Sequence, residues 1–122
     1  MNSTIIKFRI DEMADRFDAP ESVAAPLGEP VSKVRSASVV PPSSPKTEVG
    51  LWECSPGRWR RQVLQAELCH FLKGDCTFTP DGGEPIVIGA GDVLYFPANS
   101  TGIWDVRSAS RKIFMVFDES GK

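Results

Sequence analysis

The chain has 122 residues, a length that suits one domain built around one hydrophobic core. Apolar residues make up 41% and charged residues 25%, which is ordinary for a soluble globular protein and excludes a fibrous or wholly disordered chain. The 14 basic and 16 acidic side chains nearly balance, so no basic field favours nucleic acid as a partner. No apolar stretch approaches the ~20 residues that a membrane helix needs, and we expect no membrane association.

Cysteine and histidine are scarce, and their arrangement restricts the chemistry. Cys54, Cys69 and Cys76 contain no C-x-x-C spacing, which argues against a zinc knuckle or a dithiol redox site. The first residues lack the small-residue cleavage site of a secretory signal, so we expect free thiols in a reducing, cytoplasmic location. His70 is the one histidine, which excludes any site built from several histidines of a single chain.

The first 47 residues differ in composition from the rest, because they hold six of the ten prolines and one of the ten glycines. Residues 1–47 are therefore predicted to form an extended arm that packs across a barrel or a neighbouring subunit. Within the arm, Asp11–Phe17 can form one or two helical turns, with Asp11 as an acceptor for the exposed N–H groups. Residues 31–40 alternate enough to form a strand.

Residues 48–122 have the pattern of an all-β domain. Gly74 is expected to end one long β-rich run, and Asp81-Gly82 between two β-rich runs indicates a hairpin. Short strands at spacings of about ten residues favour a sandwich or barrel. The predicted strands are 50–54, 61–74, 76–79, 85–88, 93–96, 103–106 and 112–117.

Two glycine-containing segments have a specific spacing. Glu67 is followed by six residues and Gly74, and Gly91 is followed by five residues and Pro97. This spacing resembles the two signature motifs of the cupin superfamily, which are small β-barrels of jelly-roll topology. The resemblance implies an all-β, cupin-type double-stranded β-helix over residues 48–122, with the extended N-terminal arm outside it.

A closer resemblance is to the small cupins grouped with the C-terminal domain of (S)-ureidoglycine aminohydrolase. It is specific for a fold and a subgroup, whereas most members of that group have no assigned activity, and a fold alone is weak support for a function. The residues that match the group's pattern are Trp52-Glu53, Pro56-Gly57, Glu67, Ala90–Asp92, Pro97-Ala98, Trp104 and Lys112.

The chain departs from the cupin pattern at the metal ligands. The usual His-x-His pair would fall near Arg60–Gln62, and the histidine of the second motif falls at Gly102. Only Glu67 of the four usual ligands remains, whereas a tight transition-metal site needs at least three N, O or S ligands. We therefore expect no cofactor. A weak divalent-metal site formed by Glu67, Cys69 and water is the alternative.

The resemblance implies that Glu67 points into the barrel. A buried carboxylate must be paired or hydrogen-bonded, or it takes up a proton. The candidate partners are Arg61, Lys112, the indole N–H of Trp104 and the hydroxyl of Tyr95. Glu67 is then either a ligand anchor or general acid/base, or one half of a structural ion pair that survives from a metal-binding ancestor.

Two functions remain open from the sequence. The first is metal-independent binding of a small polar molecule in an aromatic-lined barrel interior. The second is an enzyme that acts on a small nitrogen-rich or acyl substrate, with Glu67 as general acid/base and Arg61 or Lys112 stabilising a developing anion. The candidate ligand-binding residues are Trp52, Arg61, Glu67, Tyr95, Trp104 and Lys112, and the candidate catalytic residues are Glu67 and Lys112.

The neighbours of Glu67 on the same strand face different sides of the sheet. His70 follows at an odd offset and is predicted to lie on the opposite face, whereas Cys69 shares the face of Glu67. Cys69 is interpreted as a buried apolar side chain rather than a nucleophile. An apolar face with Leu68, His70 and Leu72 suits a subunit contact, and we expect a homodimer.

Three arginines flank a tryptophan at residues 58–61. Arg58, Arg60 and Arg61 around Trp59 can contact an RNA backbone or stack on a base. One short cluster on a nearly neutral chain favours a solvated strand end or an anion contact instead.

Overall fold

The computed structural model describes residues 5–40 and 47–118. Two single turns of 3₁₀ helix, Ile10–Glu12 and Ala14–Arg16, precede the strands. None of the helices in these two ranges is long and apolar enough to cross a bilayer. The strands are β1 (Glu21–Ser22), β2 (Lys33–Val40), β3 (Thr47–Cys54), β4 (Gly57–Val63), β5 (Ala66–Pro80), β6 (Ile86–Gly89), β7 (Val93–Phe96) and β8 (Ser100–Phe117).

All strand pairs are antiparallel, and the order along the sheet is β1-β2-β3-β8-β5-β6, with β4 on β8 and β7 on β5. Strand β5 follows β8 over its whole length. On the other edge of β8, residues 100–106 pair with β4 and residues 110–117 pair with β3. Register shifts in the β5–β8 ladder let both long strands bend, because a bulge increases the local twist. The result is the jelly-roll barrel that the resemblance to the cupins implies.

Two expected strand breaks are absent. Strand β5 continues through Gly74, which has φ +125°, and strand β8 continues through residues 107–111. Gly74 lies beside Ser110, and a Cβ on this glycine would stand 2.6 Å from the Ser110 Cβ. The glycine therefore permits a bend where two strands approach closely, and the interpretation of Gly74 as a strand end was wrong.

Strand β4 was not predicted in its full extent. Its inward positions are Gly57, Trp59 and Val63, and the exposed arginines between them gave the segment a polar appearance. The run predicted over 61–74 in fact belongs to two strands that meet at residues 64–65.

The arm of the protein packs on its own barrel. Met13 is 1% exposed and packs with Ala37 and Leu51 on the outer face of the sheet, where the partly buried Phe8 and Phe17 join them. The expected helix is two 3₁₀ turns, and the residue at the first N-cap is Arg9, not Asp11, with no side-chain hydrogen bond there.

Further along, the arm pairs with strand β4 and then contributes strand β2 to the sheet. The Leu27 amide donates to the Arg58 carbonyl, and the Arg60 amide donates to the Ala25 carbonyl. Strand β2 pairs with β3 from Val34 to Val40. The arm therefore closes one side of the barrel near β4.

Candidate functional site

One row of residues inside the barrel carries a buried charge. On β8, Lys112 lies opposite Trp52 of β3 on one side and opposite Phe71 of β5 on the other. Side chains alternate between the two faces of a strand, so Lys112 and its buried neighbours Ser110 and Phe114 all point inward. Lys112 is only 5% exposed.

The buried lysine forms an ion pair with the one retained cupin ligand. The Lys112 Nζ lies 2.7 Å from Glu67 Oε2, and the two side chains are each 7% exposed. Glu67 comes from strand β5, where it lies opposite Phe96 of β7 and Val116 of β8. Each ion compensates the charge of the other, which a buried charge requires.

Aromatic rings surround the ammonium on its other sides. The Lys112 Nζ lies 4.5 Å from the ring centroid of Trp52, 5.6 Å from Trp104, 5.7 Å from Phe71 and 5.9 Å from Phe96. A cation within about 6 Å of a ring centroid is attracted to the face of the ring, and the attraction is larger where water is excluded. The rings therefore replace part of the hydration that Lys112 loses.

A cavity of about 300 Å³ opens beside the ion pair. Both ions of the pair line it, together with the aromatic side chains Trp52 and Trp104. Arg61 of β4 is a further lining residue, and its position shares the inward face of Trp59 and Val63. The neutral polar lining residues are Ser36, Gln62 and Gln65, and the apolar ones include Val63, Phe114 and Val116.

Five of the six predicted ligand-binding residues line this cavity, and one lies elsewhere. Tyr95 is 49% exposed on the outer face, where its ring lies 6.3 Å from that of Phe117. On strand β7 the inward residue is the next one, Phe96. The structure thus brings together Trp52, Arg61, Glu67, Trp104 and Lys112.

Sequence reasoning missed several residues of the site, and three of them bear on its chemistry. Phe71 and Phe96 complete the ring set around Lys112, and Glu48 of β3 lines the cavity. A signal for Phe71 existed, because it follows Glu67 and Cys69 at a period of two. A signal for Phe96 existed as well, because this residue directly precedes Pro97 of the second motif. Phe96 therefore lies at the end of the strand that leads into the motif loop.

The residues around Glu67 do not fit a divalent metal ion. Arg61 and Gly102 lie opposite each other in the β4–β8 ladder, at the positions where the cupin pattern has histidines. A Cβ on Gly102 would stand 2.4 Å from the Thr79 carbonyl oxygen and 2.6 Å from Phe78 Cζ, so no side chain fits there. Within residues 5–40 and 47–118, no three His, Cys, Asp or Glu side chains are grouped closely enough to hold a metal.

The thiols offer no nucleophile to the cavity. Cys69 is buried on the face of Glu67, and burial raises its pKa to about 11. Burial likewise raises the pKa of Cys54 and of Cys76. Each group is therefore a neutral thiol near neutral pH, and a thiol is a much weaker nucleophile than a thiolate.

The residues that flank Glu67 and Trp59 lie mostly outside the cavity. His70 is exposed on the outer face of β5, as the odd offset predicts. Arg60 binds both carboxylate oxygens of Asp81 at 2.6 Å. The hydroxyl of Thr101 and the guanidinium of Arg60 lower the pKa of that carboxyl. Arg60 therefore has a structural partner, whereas Arg61 lines the cavity.

The fold is a jelly-roll barrel, and the strand of its first motif carries a buried glutamate. A lysine, rather than the usual histidines, lies beside this glutamate, so the class is a cupin without the usual metal ligands. Residues 44–114 match the family model described as the EutQ-like cupin domain. The chain belongs to this family. Comparison with curated proteins found no match.

Several solved structures are similar to the chain. The EutQ protein of Clostridium difficile is 17% identical, with a TM-score of 0.64 and 80% of each chain covered. A protein of unknown function from Pseudomonas syringae, of the DUF861 family, is 18% identical with a TM-score of 0.70, over 82% of this chain and 43% of that one. A DUF861 protein of Thermotoga maritima is 28% identical with a TM-score of 0.53, over 55% of this chain and 76% of that one. These likenesses support the fold.

Proposed function

We propose that the protein binds a small polar molecule in the barrel cavity and needs no metal ion to do so. The observation that carries the proposal is the ion pair of Lys112 and Glu67, which lines a cavity while both side chains remain nearly buried. In this site the Lys112 ammonium supplies the positive charge that a metal ion supplies in other cupins.

The energetics of buried ions support a binding role for the pair. Removing two charges from water costs several kcal/mol per ion, and apolar residues of similar volume often stabilise a fold as well or better. An ion pair at the wall of a cavity therefore suits recognition more than stability. The cavity of about 300 Å³ has room for about ten non-hydrogen atoms, since one water molecule takes about 30 Å³ of the liquid.

The proposal is tested by screening small polar metabolites against metal-free protein, with thermal shift followed by NMR titration. We expect binders whose affinity falls by about tenfold or more in Glu67→Gln, because a hydrogen bond to a charged group contributes about 1.5–3 kcal/mol. The matched control is Arg58→Gln, an exposed arginine on the other face of β4, which should bind as the unmodified protein does.

A second variant keeps this test valid if Glu67→Gln does not fold. The double variant Glu67→Gln with Lys112→Met removes both charges, so no unpaired ion remains in the barrel. Equal affinity in this double variant and in the unmodified protein would refute the proposal. Binding that requires an added divalent metal would refute it as well.

Catalysis is the second candidate function. The nearly buried carboxylate of Glu67 lines a cavity, with the cations Lys112 and Arg61 on the same cavity, which suits general acid/base work on a small nitrogen-rich or acyl substrate. The resemblance to the ureidoglycine aminohydrolase cupins directs the assay to ureidoglycine-like compounds. The protein would be an enzyme if the unmodified form turns over such a compound and the Glu67→Gln variant binds the compound without turning it over. Binding without turnover would leave the binding function.

We also propose a cytoplasmic homodimer. Leu68, Val93 and Met115 are 40%, 62% and 37% exposed on the outer sheet face, beside the part that the arm covers. A second copy that covers this apolar area would remove it from water. Light scattering should show a dimer that Leu68→Lys dissociates, whereas a monomeric unmodified protein would refute the dimer.

The cytoplasmic location is proposed from the cysteines. All three are free thiols, which favours a reducing compartment.

A further inference from the structure

Four charged side chains of the described residues line the cavity, and two of them already neutralise each other. Lys112 and Glu67 form the 2.7 Å ion pair, so a ligand meets this part of the wall as a dipole rather than as a net charge. The other two charged lining residues are Arg61 and Glu48. These two determine which ligand charges the cavity attracts.

Arg61 has no charge partner within the described part of the chain. Its neighbour Arg60 points to the other face of β4 and binds Asp81 there. A guanidinium remains charged at any physiological pH and presents a fork of N–H donors that matches a carboxylate. Arg61 thus offers the cavity one unused anion-binding group.

Glu48 offers the opposite charge from another strand. It lies on β3 at the same inward parity as Trp52, and its Oε2 accepts a 2.5 Å hydrogen bond from the Ser38 hydroxyl. No lysine or arginine among the described residues pairs with it. A hydroxyl donor leaves the negative charge of the carboxylate in place, so Glu48 can still bind a cation.

Arg61 and Glu48, which have no ion-pair partner among the described residues, belong to separate walls of the cavity. Strand β3 pairs with residues 110–117 of β8, and strand β4 pairs with residues 100–106. No ion pair joins Arg61 to Glu48, so their charged atoms are more than 4.0 Å apart, and both residues line the same cavity. Among the residues that the structure describes, the lining has two positive and two negative side chains, which disfavours a ligand of large net charge.

From this charge arrangement we infer that the ligand is a small zwitterion of the amino-acid type, an inference that rests on the proposed function. Its carboxylate binds Arg61 and its ammonium binds Glu48. The rest of the molecule lies against Trp52 and the Lys112–Glu67 ion pair, which line the same cavity. No bond is made or broken in this recognition.

The test uses matched sets of an amino acid, its amide and its N-acetyl derivative, titrated by NMR into the full-length protein without added metal. The amide lacks the carboxylate, and the N-acetyl derivative lacks the ammonium. At least one amino acid should bind about tenfold more tightly than either of its derivatives, as expected for the loss of one charged hydrogen-bond partner.

Variants assign each charge of the ligand to one residue. Arg61→Gln should bind the amino acid and its amide equally, while it still discriminates against the N-acetyl derivative. Glu48→Gln should do the reverse. The control Arg58→Gln, on the outer face of the same strand as Arg61, should keep both preferences.

The outcomes separate this inference from the function on which it rests. If an N-acetyl derivative, an amide or an uncharged compound binds as tightly as the amino acid, the zwitterion is refuted, and cavity binding stands. Retained discrimination in both Arg61→Gln and Glu48→Gln also refutes it. If no small polar compound binds at all, the proposed function fails, and the inference fails with it.

Discussion

Replacement of Lys112 by methionine should destabilise the protein strongly, because it leaves the Glu67 carboxylate buried without a partner. Breaking a buried ion pair from one side costs about 3–5 kcal/mol. Lys112 also lies 4.5 Å from the Trp52 ring centroid. The loss of this desolvated cation–π contact accounts for about 2 kcal/mol of the 3–5 kcal/mol. The Tm should fall on the order of 10–20 °C for a domain of this size.

A double-mutant cycle separates the charge effect from the loss of packing. Adding Glu67→Gln to Lys112→Met removes the second ion, so the double variant should recover most of the lost free energy of unfolding. Urea unfolding followed by circular dichroism gives the free energies, with unchanged m values as the check on two-state behaviour. If Lys112→Met loses less than about 1 kcal/mol and the second change recovers nothing, the pair is solvated and the site described here is wrong.

Three further changes test other parts of the structure. Gly102→Ala should lose about 1–3 kcal/mol by overpacking against Phe78 and Thr79, and a Tm equal to that of the unmodified protein would show that this position has space. Met13→Ala should lose about 2–5 kcal/mol and release the arm to proteolysis before the barrel unfolds, whereas equal cleavage rates would contradict the packing of the arm. Burial raises the pKa of Glu53, but the hydrogen bonds from Arg35 and Arg111 outweigh it and hold the pKa below its usual 4.5. The stability from this depressed pKa is therefore present above about pH 4.5 and is lost as the pH falls through the folded value, so Glu53→Gln should flatten the acid limb of a stability–pH curve.

The sequence predicts the fold class well because a period of two and turn residues are local signals. Gly91 to Pro97 lies at the β6–β7 turn and along β7, and Glu67 lies on the inner face of β5, as the motif spacing implies. The failures concern signals with two meanings. A glycine with positive φ permits a tight turn or a bend in a long strand, and at Gly74 only the contact with Ser110 distinguishes the two.

The candidate site shows the same division between local and distant information. The alternation of side chains along a strand correctly placed Cys69 on the face of Glu67 and His70 on the other face. The same rule gave no partner for the Glu67 carboxylate. Lys112 was one of several candidates, because its contact with Glu67 depends on the register of β5 with β8 across 45 positions of sequence. Tyr95 and Phe96 are adjacent aromatics, and the sequence alone does not show which of them points inward.

An ammonium at the centre of a cupin barrel changes the chemistry that the barrel can perform. A lysine ammonium has three N–H donors, and among the described residues Glu67 is its one ion-pair partner. The donors that do not face Glu67 remain for acceptor atoms of a ligand, so Lys112 can orient and hold a carbonyl or carboxylate oxygen. It has no vacant orbital with which to bind a water molecule and lower its pKa, as a metal ion does. Hydrolysis through Glu67 would therefore need this carboxylate itself to remove the proton from water. Glu67 could do so only if the ion pair with Lys112 loosens when the substrate binds.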